Sequence, residues 1–129
     1  MIITRTPFRI SFAGGGTDLK AYYVKEEGKV ISTSIDKYIY VVIKRQIGIV
    51  EHKYRINWSK VEFKNSINDI EHPIVREALR LFEIDFPIEI TTFSDIPGQT
   101  GLGSSSAFAV GIVHALYALK GEMVSKNTI

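Results

Sequence analysis

Cysteine is absent from the 129 residues, which removes disulfides, thiolate metal sites and cysteine nucleophiles from consideration. Charge of one sign is scarce too: 16 Lys and Arg against 14 Asp and Glu leave a net +2. The basic residues are scattered apart from Lys44-Arg45, so there is neither a basic stripe for nucleic acid nor a polybasic run for a membrane. Long hydrophobic stretches are lacking: the apolar run at 107–119 is too short to cross a bilayer and suits a buried helix. Arg5 and Arg9 interrupt the first apolar run, and no small-residue cleavage site follows, so the start does not read as a signal peptide. The expectation is a cytoplasmic protein with neither a nucleic-acid nor a membrane partner. His52, His72 and His114 lack metal-site spacing and read as surface or hydrogen-bonded side chains. No repeat or low-complexity tract occurs. With 45% apolar and 23% charged residues, the chain is one domain, large enough to bury a core.

Glycine and serine, by contrast, are concentrated in one place. The stretch Asp95-Ile-Pro-Gly-Gln-Thr-Gly-Leu-Gly-Ser-Ser-Ser-Ala107 follows a strand-like run at 88–93 and leads into the helical run at 107–119. Amides at the start of a helix have no intrahelical acceptor, and the aligned peptide dipoles add roughly half a positive charge there, so phosphate oxygens suit the place. Gly101 and Gly103 put no side chain between a phosphate and the backbone, and both tolerate positive φ. Ser104, Ser105 and Ser106 read as helix caps that also offer hydroxyls to a phosphate or to its Mg²⁺. A mobile linker would not run straight into a capped apolar helix. The Walker P-loop needs Lys after its last glycine, where Ser104 stands here. Nor is this the dinucleotide fingerprint, because no acidic residue about 20 positions on closes a βαβ unit.

In chain order, residues 1–13 read as a strand broken at Pro7, with Phe8, Ile10 and Phe12 alternating against Arg9, Ser11 and Ala13. Gly14-Gly15-Gly16-Thr17-Asp18 is a second glycine turn, and Asp18 is placed to cap a short helix at 19–25. Alone, that turn reads as structural. Residues 30–35 and 38–44 read as two strands of a hairpin turning at Asp36-Lys37, the second central in a sheet. A shorter, more exposed hairpin follows at 53–57 and 60–63, with Trp58 in its turn to anchor the loop or to meet an adenine. Pro73 opens a helix whose apolar stripe is Ile74, Ala78, Leu81 and Phe82, with Arg76, Glu77 and Arg80 towards water. In the last long helix Phe108, Ile112, Leu116 and Leu119 form a stripe with little polar face opposite, so another domain or chain should cover it. Ser125 reads as the cap of a further helix. Three to five strands in an antiparallel or mixed sheet, with helices on one face, give an α+β fold.

Two strings carry a family likeness. Pro97-x-x-x-Gly101-Leu102-Gly103-Ser104-Ser105-Ser106-Ala107 resembles the phosphate-binding motif of the GHMP kinases, the superfamily of galactokinase, homoserine kinase, mevalonate kinase and phosphomevalonate kinase. Pro7-Phe-Arg-Ile-Ser-Phe-Ala-Gly-Gly-Gly-Thr-Asp18 resembles their first motif, a strand with an Arg running into a glycine turn closed by Thr-Asp. Galactokinases have Glu-His where Gly15 and Gly16 stand; the all-glycine version looks most like heptose-phosphate kinases, and less like the kinase module of fucokinases.

The resemblance implies a ribosomal-protein-S5-domain-2-like N-terminal domain over residues 1–129. ATP would lie on Pro97, Gly101, Leu102, Gly103, Ser104, Ser105, Ser106 and Ala107, with Ser105 as a ligand to Mg²⁺. A sugar phosphate would contact Gly16, Thr17 and Asp18, and Arg9 would act on the transferred phosphoryl group, a task suited to a permanently charged fork. The family's catalytic Asp, its Mg²⁺-holding Glu and its third glycine motif have no counterpart in the matched segment. The expectation is therefore an N-terminal portion without the C-terminal kinase domain, with little turnover alone. A non-catalytic nucleotide- or sugar-binding module, a kinase for galactose, fucose or mevalonate, and an RNA-binding domain are the alternatives.

Overall fold

Five strands form a single mixed sheet in the computed structural model, which describes residues 1–98, 100–122 and 124–125, and of Asp18 the backbone alone. They are β1 (Ile2–Ala13), β2 (Ile31–Arg45), β3 (Tyr54–Asn57), β4 (Val61–Lys64) and β5 (Ile88–Ser94), in the spatial order β1-β2-β5-β3-β4. The pairings are antiparallel except between β3 and β5, which run parallel. Helix α1 spans Lys20–Tyr23, α2 Pro73–Leu81 and α3 Ser104–Leu119. The fold is α+β, as the alternation of strand-like and helical runs implied. Among the described residues no helix is long and apolar enough to cross a membrane.

The core lies on one face of the sheet. Phe8 of β1, Ile39, Val41 and Ile43 of β2, Ile88 and Ile90 of β5, and Tyr54 and Ile56 of β3 alternate inwards and are buried. Against them pack Val75, Ala78, Leu79 and Phe82 of the α2 segment and Phe108, Ile112, Ala115 and Leu116 of α3. Each large side chain buried this way stabilises the fold by about 1.5–3 kcal/mol relative to leaving it in water. Helix α3 comes close to β1 and β2 because Gly111 faces them: Thr4 Oγ1 donates to the Gly111 carbonyl at 2.8 Å. A Cβ on Gly111 would stand 3.1 Å from Thr6 Oγ1 and 3.2 Å from Val41 Cγ2.

Several sequence expectations are corrected. Residues 31–45 form one strand, not a hairpin. The β1–β2 register moves from Pro7 opposite Tyr38 to Arg9 opposite Ser34, so Asp36 and Lys37 are taken up in a bulge rather than a turn. Pro7 does not break β1, an edge strand on which its missing N–H costs no ladder bond. A second register shift between Ser11 and Ala13 turns Phe12 outwards, and it is 69% exposed. Leu19, not Asp18, is the N-cap of the single-turn α1, with no side-chain cap, and Gly15–Asp18 is a 3-10 turn. The apolar stripe of α2 runs through Val75 and Leu79; Leu81 is exposed. Leu119 is only partly buried, and Val110 is exposed on the outer side of α3. The cap expected at Ser125 would head residues outside those described.

The second hairpin is less exposed than its sequence indicated. Tyr54 and Ile56 of β3 are buried, and β4 is inverted relative to its own pattern. Val61 and Phe63 face outwards, while Glu62 faces the core. One residue of register decides which set points in, and pairing of Asn57 with Val61 across the Trp58 turn sets it.

Candidate active site

The glycine loop and the start of α3 meet β1 at Arg9. The Arg9 N–H donates to the Leu102 carbonyl at 3.3 Å. A Cβ on Gly103 would fall 3.2 Å from Arg9 Nε and 3.3 Å from its Cγ, so the half-buried guanidinium stem lies against the helix mouth. Gly101 and Gly103 take left-handed φ values of 74° and 73°, the conformation that glycine enters without steric cost. Gly103 is the N-cap, and no side chain caps the helix. The three serines thus occupy the first turn rather than the cap. Ala107 N–H is already bonded to the Gly103 carbonyl at 2.9 Å, and Ala107 is buried. The amides of Ser104, Ser105 and Ser106 are those the helix itself cannot satisfy. Leu102 packs on the core. Asp95 fixes the root of the loop, its N–H donating to the Tyr38 carbonyl at 3.0 Å and its Oδ2 accepting from Tyr38 N–H at 2.8 Å.

The other glycine turn stands at the far end of the same strand. Gly14 has φ 83°, and a Cβ there would lie 1.8 Å from the Lys29 carbonyl oxygen, so no other residue fits. Thr17 Oγ1 donates to Gly14 O at 2.7 Å and lies 3.2 Å from Lys29 O, which ties the turn to the loop at 28–30. A Cβ on Gly16 would meet nothing within 4 Å, leaving open space above the backbone. Nothing is described of the Asp18 side chain. From Arg9 to Gly14 is five residues of strand, at most about 17 Å; one strand carries both sites.

Beside the helix mouth opens a cleft of about 820 Å³ whose floor is Ile39, Thr92 and Ser94 of the sheet. Pro97, Ser104, Ser105 and Phe108 line one side, and Trp58 and His72 the other. The ring centroids of Trp58 and His72 are 4.7 Å apart, edge to face, and those of His72 and Phe108 are 4.9 Å apart. His72 is the N-cap of α2, its Nδ1 accepting from Val75 N–H at 3.4 Å. Burial pushes its pKa below the ordinary 6.5, against an opposing pull from the Glu62 charge. The sequence reading of His72 as a hydrogen-bonded histidine was sound, and Trp58 both anchors its loop and faces the cleft. The cleft itself was missed, because residues 58, 72 and 108 converge only in the fold. Among the described residues no group of three acidic or histidine side chains is placed to hold a metal ion.

Residues 73–129 match the family of GHMP kinases N terminal domain. The chain carries a GHMP kinase N-terminal domain. It is 35% identical over 123 residues to the D-glycero-alpha-D-manno-heptose 7-phosphate kinase of Campylobacter jejuni, covering 88% of this chain and 36% of that protein. The fold of the GHMP domain superimposes on a D-glycero-D-manno-heptose 1-phosphate kinase from Bacteroides thetaiotaomicron with a TM-score of 0.78 at 23% identity, over 97% of this chain and 44% of that one. It likewise matches the Streptococcus pneumoniae phosphomevalonate kinase, solved with phosphomevalonate and AMPPNP, with a TM-score of 0.70 at 21% identity, over 98% and 39%. The chain therefore spans well under half the length of these relatives.

Proposed function

We propose that this GHMP domain is the nucleotide- and substrate-binding portion of an ATP-dependent sugar-phosphate kinase acting on a heptose phosphate. The observation that carries the reading is the convergence of the Arg9 side chain on Gly103 at the mouth of α3. There a permanent positive charge, unsatisfied first-turn amides and a left-handed glycine loop share one space. In this reading Gly101, Leu102, Gly103 and the amides of Ser104, Ser105 and Ser106 hold the phosphates, and Pro97 and Ser104 border the cleft that takes the base. Ala107 supports the turn from below. Bound ATP·Mg²⁺ would supply the phosphoryl group, with the Ser105 hydroxyl as the metal's protein contact. Arg9 neutralises charge on the transferring oxygens, and positioning of this kind carries most of the catalysis in phosphoryl transfer.

The open backbone at Gly16, with Thr17 and Asp18, receives the sugar phosphate at the other end of β1. The relatives named for heptose 7-phosphate and heptose 1-phosphate support a heptose as the sugar. A further kinase domain, on this or another chain, completes the site and supplies the base that accepts the proton from the attacking hydroxyl. The test is calorimetric titration with ATP·Mg²⁺, together with turnover on heptose 7-phosphate, heptose 1-phosphate, galactose and mevalonate. ATP binding that Arg9→Ala weakens, with turnover on a heptose phosphate only when a further kinase domain is present, is the expected result. Absence of ATP binding would refute the reading, and full turnover by the 129 residues alone would refute the need for a further domain.

A further inference from the structure

Among the described residues Glu62 is the sole charged side chain classed as buried, at 4% exposure. It occupies an inward position on β4 where the neighbouring Val61 and Phe63 would have been the ordinary choice. A buried carboxylate is costly unless its oxygens are satisfied, and here three donors satisfy them. Trp58 Nε1 donates to Oε1 at 2.8 Å, Glu71 N–H to Oε2 at 2.7 Å and His72 N–H to Oε1 at 3.2 Å. Two of these donors are amides at the start of α2, where the helix dipole favours a negative charge. The third is the indole of the chain's single tryptophan.

One side chain thus ties the β3–β4 turn to the N-terminus of α2. Lys60 and Lys64, each 3.3 Å from Glu71, brace the same joint from outside. His72 is held a second time by its Nδ1 bond to Val75 N–H, which leaves the ring proton on Nε2 in the neutral form. The product is a fixed row, Trp58–His72–Phe108, along one cleft that also includes Ser104 and Ser105.

We infer that Glu62 is a positioning residue for the base of the nucleotide: it holds the aromatic row as a preformed wall, so that the extra affinity of a nucleotide over a bare triphosphate depends on it. The inference rests on the proposed nucleotide reading. Aromatic side chains that must be ordered on binding lower affinity by their ordering entropy, whereas a preformed wall does not. The phosphates, held by the mouth of α3, do not touch this joint.

The experiment titrates wild type, Glu62→Ala and Glu62→Gln with ATP·Mg²⁺ and with inorganic tripolyphosphate·Mg²⁺, following Trp58 emission and its quenching by acrylamide. The expected result is a loss of roughly tenfold in ATP affinity for E62A, with tripolyphosphate affinity unchanged within about twofold. Trp58 should emit further to the red and quench more readily. E62Q keeps an acceptor for Trp58 and His72 but turns an amide group on Glu71 N–H, so it should recover most of the Trp58 signal and lose only about threefold in ATP affinity. Should E62A not fold, the same ATP-to-tripolyphosphate comparison in E62Q decides. Equal weakening of both ligands, or unchanged ATP affinity, would overturn the positioning role while leaving the nucleotide reading intact. Failure of wild type to bind either ligand would overturn both.

Discussion

Gly101 and Gly103 have nearly the same backbone, φ 74° and 73°, in different surroundings. A methyl group at 101 meets nothing within 4 Å, whereas at 103 it lies 3.2 Å from Arg9 Nε. Alanine at either site enters the left-handed region, which costs about 1–2 kcal/mol. Both variants should therefore lose similar stability, a shift of a few degrees in Tm for a chain of this size. The contact at 103 adds little to that cost, since a flexible side chain yields by a few tenths of an ångström. What it moves is Arg9. A hydrogen bond to a charged group contributes about 1.5–3 kcal/mol, so displacing Arg9 from a bound phosphate should weaken ATP·Mg²⁺ binding by roughly tenfold or more.

The decisive assay is a pair of double-mutant cycles by calorimetry, Gly103→Ala with Arg9→Ala and Gly101→Ala with Arg9→Ala. If Gly103 acts through Arg9, G103A should cost almost nothing once Arg9 has gone, while G101A and R9A should add. Additivity in both cycles to within about 0.5 kcal/mol would refute the claim that the guanidinium is seated by the glycine.

Gly111→Ala should destabilise the protein by about 1–2 kcal/mol in urea denaturation: overpacking against Thr6 and Val41 outweighs the ~1 kcal/mol that alanine gains in a helix; a neutral result would mean that α3 lifts off the sheet freely. Burial holds His72 below the ordinary 6.5, so the unfolded chain takes up this proton at higher pH than the folded one. The stability that this group contributes is complete above pH 6.5 and is lost as the pH falls from there through the lower folded value. That window lies above the range of Glu71, whose pKa is lowered by Lys64 and Lys60, and of Glu77, lowered by Arg76 and Arg80. His72→Asn, which keeps an N-cap acceptor, should flatten the fall of urea midpoints as the pH drops below 6.5; an unchanged slope would show that another group sets it.

Local chemistry was legible in the sequence. Alternation marked β1, the apolar run marked α3, and Gly101 and Gly103 marked a loop in which two left-handed residues precede a helix. What the sequence did not disclose depends on partners. Asp36-Lys37 reads as a turn in isolation, and becomes a bulge because β1 supplies pairing on both sides of it. The hairpin at 53–57 and 60–63 reads as exposed, yet pairing of β4 with β3 turns Glu62 inwards, where Trp58 Nε1 and the N–H groups of Glu71 and His72 meet it. A carboxylate alternating with large apolar residues next to the lone tryptophan was the available clue to the cleft. The stripe of α2 shifted to Val75 and Leu79 for the same reason, since a nine-residue helix takes its rotation from what it leans on.

The hydrogen bond from Thr4 to Gly111 joins residues 107 positions apart, and Arg9 meets its loop only after about 90 intervening residues. A ribosome adding about 5–20 residues per second leaves the first strand without its covering helix for several seconds or more. Throughout that interval Phe8 is uncovered and the contact of Arg9 with Leu102 and Gly103 does not yet exist. Contacts so distant along the chain also make folding of this domain slow once α3 has been made. The nascent chain should thus be most prone to aggregate in the interval after β1 has emerged and before α3 does.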